Sequence, residues 1–250
     1  MRPDPKTGTT NGHTGHAALA RRMDQTQRPP QDTFLRPAPD KNSSSWPDLS
    51  VESRLAGQGY KTVCGVDEAG RGPIAGPVVC AAVILDANLV PKGLRDSKKL
   101  SAGARNAAYQ QILQTAHVSV ATASHIEIDR LNVRAATLAA MSRAIRRLPL
   151  QADASLIDGN GVPPDTDIPA WPMIKGDGRS ASVAAASIVA KTVRDALMIE
   201  AHRLWPNYGF EKHMGYPTAR HLAALRRFGP CAIHRRSFAP VREALNTHGK

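Results

Sequence analysis

Apolar residues along this chain fall into two patterns, short runs of strand character and longer stretches with helical spacing. The runs at 63–66 and 78–85 are joined by a segment rich in glycine and proline, which predicts a β-hairpin. Residues 117–123 alternate apolar and polar positions, as a third strand would, and further strand-like runs lie at 154–158 and 170–174. The segments with helical spacing are 101–116, 133–148, 182–205 and 218–228. Together these patterns predict an α/β domain in which helices flank a mixed sheet, with a C-terminal helical part.

The beginning of the chain shows neither pattern. Residues 1 to about 50 are rich in Pro, Thr, Ser, Gly, Asn and Gln, and they offer too few apolar side chains to offset the entropy of ordering. We therefore expect a disordered N-terminal tail over residues 1–55, with a weak helical pattern at 49–55. One folded domain is expected over residues 56–250.

Charge adds a functional constraint, because the chain is strongly basic. Its net charge is +12 and its isoelectric point is near 10.1. Residues 1–58 hold eight Lys and Arg against six Asp and Glu, a net charge of +2, so the remaining residues carry +10 (12 minus 2). A positive charge concentrated on the folded part favours a polyanionic partner such as nucleic acid.

Cysteine usage and hydropathy limit the cellular locations that the sequence favours. Cys64, Cys80 and Cys231 lack the spacing of metal ligands, and two of them lie in apolar runs, so we expect reduced and mostly buried thiols. No apolar run reaches the roughly 18 residues of a membrane span, and the N-terminus lacks the apolar region of a secretory signal. These features predict a cytoplasmic protein without a membrane contact. We also expect a monomer.

The first hairpin carries the most specific chemistry. Its first run ends in two adjacent carboxylates, Asp67 and Glu68, and Gly70, Arg71 and Gly72 follow. Successive side chains on a strand face opposite ways, so both acids serve one site only if the chain leaves the strand at Glu68. Glycines on either side of the arginine let backbone N–H groups approach a phosphate or sugar closely. The acid pair alone would be an ordinary solvated pair before a loop, but the whole segment indicates metal-assisted chemistry on a phosphodiester.

Two further acids lie at strand ends or turns. Asp158 ends a strand-like run, and Asp177 stands between two glycines before the longest helical segment. On its own, Asp158 reads as a turn residue and Asp177 as a residue near a helix start. If both gather with Asp67 and Glu68, the repulsion among four carboxylates requires hard divalent cations. Oxygen-only ligands then favour Mg²⁺ or Mn²⁺ over zinc.

The segment Asp67-Glu-Ala-Gly-Arg-Gly-Pro73 resembles the signature of the ribonuclease HII family, and the resemblance extends over residues 59–245. It implies a ribonuclease H-like fold and an endonuclease that hydrolyses the RNA strand of RNA–DNA hybrids. It also implies cleavage on the 5′ side of ribonucleotides embedded in duplex DNA, with 3′-hydroxyl and 5′-phosphate ends, and a role in removing misincorporated ribonucleotides. The implied catalytic and metal-binding set is Asp67, Glu68, Asp158 and Asp177.

The resemblance also implies contacts to the substrate. The segment Asp96-Ser-Lys98 is similar to a family motif that contacts the nucleic-acid backbone. The Gly-Arg-Gly backbone and Tyr216 are implied to read the 2′-hydroxyl and the junction between ribonucleotide and deoxynucleotide. The chain departs from the family pattern at Met214, where many members have a lysine, and this removes one possible phosphate contact. The implied substrate-binding residues are Gly70, Arg71, Gly72, Ser97, Lys98 and Tyr216.

Two other classes of protein share part of this pattern. A metal-dependent DNA recombinase or transposase nuclease would use similar carboxylates but would not need to recognise a 2′-hydroxyl, and activity on an all-DNA duplex would favour it. A non-catalytic basic RNA-binding protein would explain the charge but not the acids. Binding that is independent of Mg²⁺ and leads to no cleavage would favour that second class.

Overall fold

A computed structural model describes residues 46–95 and 97–248. The strands are β1 Val63–Ala69, β2 Val78–Leu85, β3 Ala116–Ala123, β4 Ala154–Asp158 and β5 Ala170–Met173. The α-helices are α1 Ser50–Ala56, α2 Ala102–Thr115, α3 His125–Leu131, α4 Val133–Arg146, α5 Ala181–Leu204, α6 Phe210–His213, α7 Ala219–Phe228 and α8 Ala239–His248. Short 3₁₀ turns occupy Ser97–Lys99, Gly176–Gly178 and Pro206–Tyr208. Within this part of the chain, no helix is long and apolar enough to cross a membrane.

The strands form one five-stranded sheet in the order β3-β2-β1-β4-β5. β1, β2 and β3 are antiparallel neighbours, whereas β4 pairs in parallel with both β1 and β5. The predicted hairpin and the mixed α/β sheet are therefore confirmed. Because β1 and β4 run in parallel, their carboxyl ends meet at one edge of the sheet.

Both faces of the sheet are covered, and alternate residues of β2 divide between them. Cys80 and Ala82 belong to the core shared with α4, while Ala81 and Val83 belong to the core shared with α5 and α2. Helix α5 lies directly on the backbone of β1. A Cβ atom added at Gly65 would sit 2.1 Å from the carbonyl carbon of Ser182, so only glycine permits this close approach.

The folded region begins earlier than the sequence suggested. Helix α1 begins within the range assigned to the tail, yet Val51 and Leu55 are buried in a cluster with residues of β1, β4 and β5. Asp48 also forms a β-bridge with Ser180, just before α5. Residues 1–45, the rest of the expected tail, lie outside the described residues. Asp48 and residues 50–56 therefore pack with the folded domain.

Candidate active site

The register of the two central parallel strands brings the first acids together. Val66 pairs with Ile157, so the residues that follow them, Asp67 and Asp158, lie side by side at the carboxyl end of the sheet. Asp158 ends β4, as the sequence predicted, and its Oδ1 accepts a hydrogen bond of 2.7 Å from the N–H of Gly176. That bond joins the end of β4 to the turn after β5.

Glu68 does not leave the strand, because β1 continues through Ala69. The two neighbouring acids therefore face opposite sides of the sheet. Asp67 is 5% exposed and accepts a hydrogen bond from Ser187 of α5, whereas Glu68 lines a small cleft beside Thr137 of α4. The expectation that the chain bends at Glu68 is wrong. The acids meet instead at the strand end, where Asp158 interacts electrostatically with both of them.

Burial and mutual repulsion raise the proton affinity of this group. The pKa of Asp67 lies well above its ordinary value because the side chain is buried, and the charges of Glu68 and Asp158 raise it further. The pKa of Glu68 is also raised, first by burial. The guanidinium of Arg71, 3.2 Å from Glu68, opposes that shift. A divalent cation would relieve the same repulsion.

The donor chemistry of these residues fits a hard divalent cation, because carboxylate oxygens are its preferred ligands. In the arrangement described, Glu68 is turned towards Arg71, and Asp158 is held by Gly176. The described residues contain no group of three or more His, Cys, Asp or Glu side chains that could hold an ion as they stand. The acids therefore match a divalent cation in ligand type and in their proximity to one another.

The turn after β1 brings the arginine and the tyrosine next to the acids. Gly70 adopts a φ of 98°, a conformation that L side chains rarely adopt, and a Cβ there would lie 1.9 Å from Nε of Arg194. A Cβ at Gly72 would lie 3.3 Å from Cε1 of Tyr216, so the tyrosine ring packs over this glycine. Arg71 and Tyr216 are both exposed, with half of the Arg71 side chain open to solvent. The predicted grouping of this turn with the tyrosine is therefore present.

Two buried arginines hold this turn from behind, and the sequence did not reveal them. Arg235 donates hydrogen bonds to the carbonyl oxygens of Gly70 (2.6 Å), Arg71 (2.9 Å) and Gly76 (3.0 Å). Since no described peptide bond is cis, a carbonyl that points inward leaves the N–H of the next residue pointing outward. The N–H groups of Arg71 and Gly72 therefore face away from Arg235, towards the side open to a ligand.

Arg194 supports the other end of the same loop. It donates to the carbonyl oxygens of Pro77 (3.1 Å), Ala75 (3.4 Å) and Met214 (2.9 Å). Both arginines are at most 1% exposed, and burial lowers the pKa of Arg194 to about 10 and that of Arg235 to about 9. Arg194 interrupts the apolar stripe of α5, a signal that could have indicated a buried cation but was not used.

Comparison with known proteins agrees with this geometry. The sequence model of the family described as Ribonuclease HII matches residues 64–241. The ribonuclease HII of Rhizobium johnstonii is 52% identical over 200 residues, which make up 80% of this chain and 87% of that protein. The chain belongs to the ribonuclease HII family. It is therefore a nuclease of the ribonuclease H type.

Solved structures share the fold of this ribonuclease HII chain. Ribonuclease H2 from Pyrococcus horikoshii superposes with a TM-score of 0.63 at 24% identity, covering 76% of this chain and 99% of that one. Bst-RNase HIII, solved in complex with Mn²⁺, superposes with a TM-score of 0.60 at 22% identity, covering 74% and 70%. The ribonuclease H-like fold that the sequence predicted is confirmed.

The remaining predicted residues of this ribonuclease HII chain lie at different depths. Ser97 is 2% exposed, and its hydroxyl is 2.9 Å from that of Ser187, so it lies behind Asp67 and not on the surface. Lys98 is exposed, and its charge lowers the pKa of Glu68. Asp96, the first residue of that motif, lies outside the described residues.

Asp177 and Met214 occupy the edges of the site. Asp177 is partly exposed in the turn Gly176–Gly178, immediately after the residue that contacts Asp158. Met214 has a φ of 50° and packs against the apolar cluster around Phe210. Its carbonyl, and not its side chain, contacts Arg194.

Proposed function

We propose that this ribonuclease H-type enzyme hydrolyses the RNA strand of RNA–DNA hybrids and cuts duplex DNA on the 5′ side of embedded ribonucleotides. The products would carry 3′-hydroxyl and 5′-phosphate ends. The observation that carries this proposal is the meeting of Asp67, Glu68 and Asp158 beside a turn whose N–H groups face outward. The first group suits phosphodiester hydrolysis, and the second suits recognition of a sugar and its phosphate.

The acids Asp67, Glu68 and Asp158 would hold Mg²⁺ or Mn²⁺, with Asp177 as a peripheral ligand. When bound, such cations polarise the phosphate, activate water and stabilise the leaving 3′-oxygen. Asp67 is held by Ser187 and the N–H of Glu68, and Asp158 by the N–H of Gly176. These hydrogen bonds keep the two carboxylates oriented before a ligand arrives.

The turn after β1 would recognise the ribonucleotide. The outward N–H groups of Arg71 and Gly72 are donors for the 2′-hydroxyl and the adjacent phosphate, and Arg71 adds a positive charge. Tyr216 packs over Gly72, so its ring presents a flat surface to the neighbouring sugar. Gly70 would act through its backbone alone. This division assigns recognition to the loop and chemistry to the sheet end.

The Ser97 and Lys98 segment would contribute in two ways. Exposed Lys98 would contact the nucleic-acid backbone, in keeping with its effect on Glu68. Buried Ser97 would support Asp67 through Ser187. We further propose that the enzyme acts as a monomer in the cytoplasm, where it removes ribonucleotides misincorporated into DNA.

Cleavage of matched duplexes tests this proposal. Three labelled duplexes of one sequence, namely all-DNA, DNA with one ribonucleotide, and a continuous RNA–DNA hybrid, are incubated with EDTA, Mg²⁺ or Mn²⁺. We expect cation-dependent cleavage of the latter two, with ligatable 3′-hydroxyl and 5′-phosphate ends, and none by the Asp158→Asn variant. Cleavage of the all-DNA duplex, or equal cleavage in EDTA, would refute the proposal.

A further inference from the structure

A cluster of three buried histidines lies directly behind Tyr216. His213, His221 and His234 are at most 8% exposed, and they come from the end of α6, from α7 and from the segment before α8. Aromatic rings surround them: Phe210 lies 5.4 Å from His221, and Tyr208 lies 5.0 Å from His234. The proposed nuclease chemistry uses none of these histidines.

The cluster contains a chain of hydrogen bonds that starts at Cys231 and ends at Tyr216. The backbone N–H of Cys231 lies 3.0 Å from Nδ1 of His234. Nε2 of His234 lies 3.1 Å from Nε2 of His221, and Nδ1 of His221 lies 2.9 Å from the carbonyl oxygen of Tyr216. Both ends of the chain are therefore backbone groups.

The backbone ends determine the direction of every bond. The N–H of Cys231 can only donate, so Nδ1 of His234 accepts and its Nε2 carries the proton. Nε2 of His221 then accepts, and its Nδ1 donates to the carbonyl of Tyr216, which can only accept. Burial lowers the pKa of His221 to about 4 and that of His234 to about 3, in keeping with two neutral rings. The donors thus run in one direction towards Tyr216.

His213 secures the same segment from the other side. Its Nδ1 accepts the N–H of Gly215 at 3.2 Å, and its carbonyl accepts the N–H of Tyr216 at 2.9 Å. Its ring stacks on that of His221, with 4.4 Å between centroids. The backbone of Tyr216 is therefore bonded to two stacked histidines, while its ring stays exposed over Gly72.

We propose that His221 and His234 are positioning residues for Tyr216. The chain from Cys231 sets the tautomer of His221, and the donor on His221 fixes the carbonyl of Tyr216, which holds the tyrosine ring over Gly72. This inference rests on the proposed role of Tyr216 in recognising an isolated ribonucleotide. It adds that selectivity for one embedded ribonucleotide over a continuous hybrid depends on a buried histidine pair that touches no substrate.

Amide substitutions separate the two ring nitrogens, because asparagine places its amide near the Nδ1 position and glutamine near Nε2. His221→Asn keeps a donor for the carbonyl of Tyr216, whereas His221→Gln loses it. At the other histidine the order reverses: His234→Gln keeps a donor for His221, and His234→Asn does not. Full-length variants are assayed below the lowest melting temperature of the set. If one variant fails to fold, the pair at the other histidine still tests the inference.

The readout is the ratio of kcat/KM on a single-ribonucleotide duplex to that on a continuous hybrid. We expect His221→Gln and His234→Asn to lower this ratio about tenfold, the effect of one hydrogen bond worth ~1.4 kcal/mol. The matched variants His221→Asn and His234→Gln should lose at most about threefold. Equal losses within both pairs would overturn the inference, since the proposed chain needs a donor at one nitrogen of each ring only.

A double-mutant cycle with Tyr216→Ala shows whether the histidine acts through the tyrosine. If it does, His221→Gln combined with Tyr216→Ala will have the same ratio as Tyr216→Ala alone. A further loss in the double variant would mean that His221 acts elsewhere, and the inference would be wrong. If Tyr216→Ala alone leaves the ratio unchanged, the proposed role of the tyrosine fails as well. If the unmodified enzyme cuts neither duplex, the proposed activity itself fails.

Discussion

The end of the sheet and the loop in front of it both bring like charges together, but they compensate these charges differently. Asp67, Glu68 and Asp158 repel one another at a strand end that a ligand can reach. Arg194 and Arg235 also repel, yet each guanidinium donates to three backbone carbonyls inside the protein. The first charge excess is left for a cation to relieve, while the second is already used to shape the loop. Removing a charge should therefore have opposite effects on stability in the two regions.

The largest expected effect concerns the acids. Asp67→Asn or Asp158→Asn should lower the single-turnover cleavage rate on the order of a thousandfold or more, because each removes a ligand for cations worth several kcal/mol in the transition state. The fold should persist, and the melting temperature without metal should stay equal or rise, since a repelling charge is gone. Rapid-quench cleavage and circular dichroism measure the two quantities.

Asn160 provides a matched control, because it lines the same cleft as Glu68 and Asp158 but carries no charge. Asn160→Ala should leave most of the cleavage rate intact. A near-normal rate in purified Asp67→Asn, at any Mg²⁺ or Mn²⁺ concentration, would contradict the assignment of the acids.

The second effect is on stability and has the opposite sign. Arg235→Met should lower the free energy of unfolding by about 3 kcal/mol or more, because three buried carbonyl oxygens lose their donors. Urea unfolding monitored by circular dichroism measures this loss. Arg235→Lys keeps the charge but not the planar fork, so it should recover only part of the stability. Full recovery by lysine would show that the loop needs the charge and not the shape of the guanidinium.

The stability of the metal-free protein should also depend on pH. Folding raises the pKa of Asp67 and Glu68, so the metal-free folded protein binds protons more tightly than the unfolded chain. These two groups stabilise the folded protein most below the ordinary carboxyl pKa of about 4. The stabilisation is lost as the pH rises through their raised pKa values. Melting temperatures in EDTA should therefore fall across this range relative to those of Asp67→Asn.

Addition of Mg²⁺ or Mn²⁺ at neutral pH should restore the lost stability, because cations bind the deprotonated acids. Asp67→Asn should respond less, which makes it the reference for both series. If the melting temperatures of the two proteins change with pH in the same way, burial in the folded state does not raise the pKa of Asp67.

Local patterns in the sequence predicted the strands of the sheet and the position of Asp158 at a strand end. The run that ends at Asp158 is a strand because its apolar residues are buried, and the parallel pairing with β1 then places this acid beside Asp67. Strand alternation holds for Asp67 and Glu68, so the bend at Glu68 that a shared site was expected to require is absent. The sequence alone could not show that the strand continues past Glu68, because that depends on pairing with β2.

The supports of the loop were beyond sequence reasoning. In sequence, Arg235 belongs to a basic cluster that is indistinguishable from a solvated surface, and Ser97 belongs to a polar motif. Only the tertiary fold buries them, by carrying the C-terminal segment behind Gly70 and by packing α5 against Ser97. The histidine chain has the same origin, since His221 and His234 come together only when α7 packs beside the segment that follows it. The sequence around these supporting groups does not show that they are buried.

The smallest expected effect belongs to the tail, whose predicted disorder would leave both regions of the site unaffected. Deleting residues 1–45 should change the free energy of unfolding by no more than about 0.5 kcal/mol and leave cleavage rates intact. Deleting residues 1–56 is the control, because it also removes α1. Val51 and Leu55 are then lost from the core, and Ser180 and Ser182 lose their acceptor on Glu52, so stability should fall by about 3 kcal/mol or more. Urea unfolding of both truncations locates the boundary. If the shorter deletion destabilises as much as the longer one, the domain begins before residue 46.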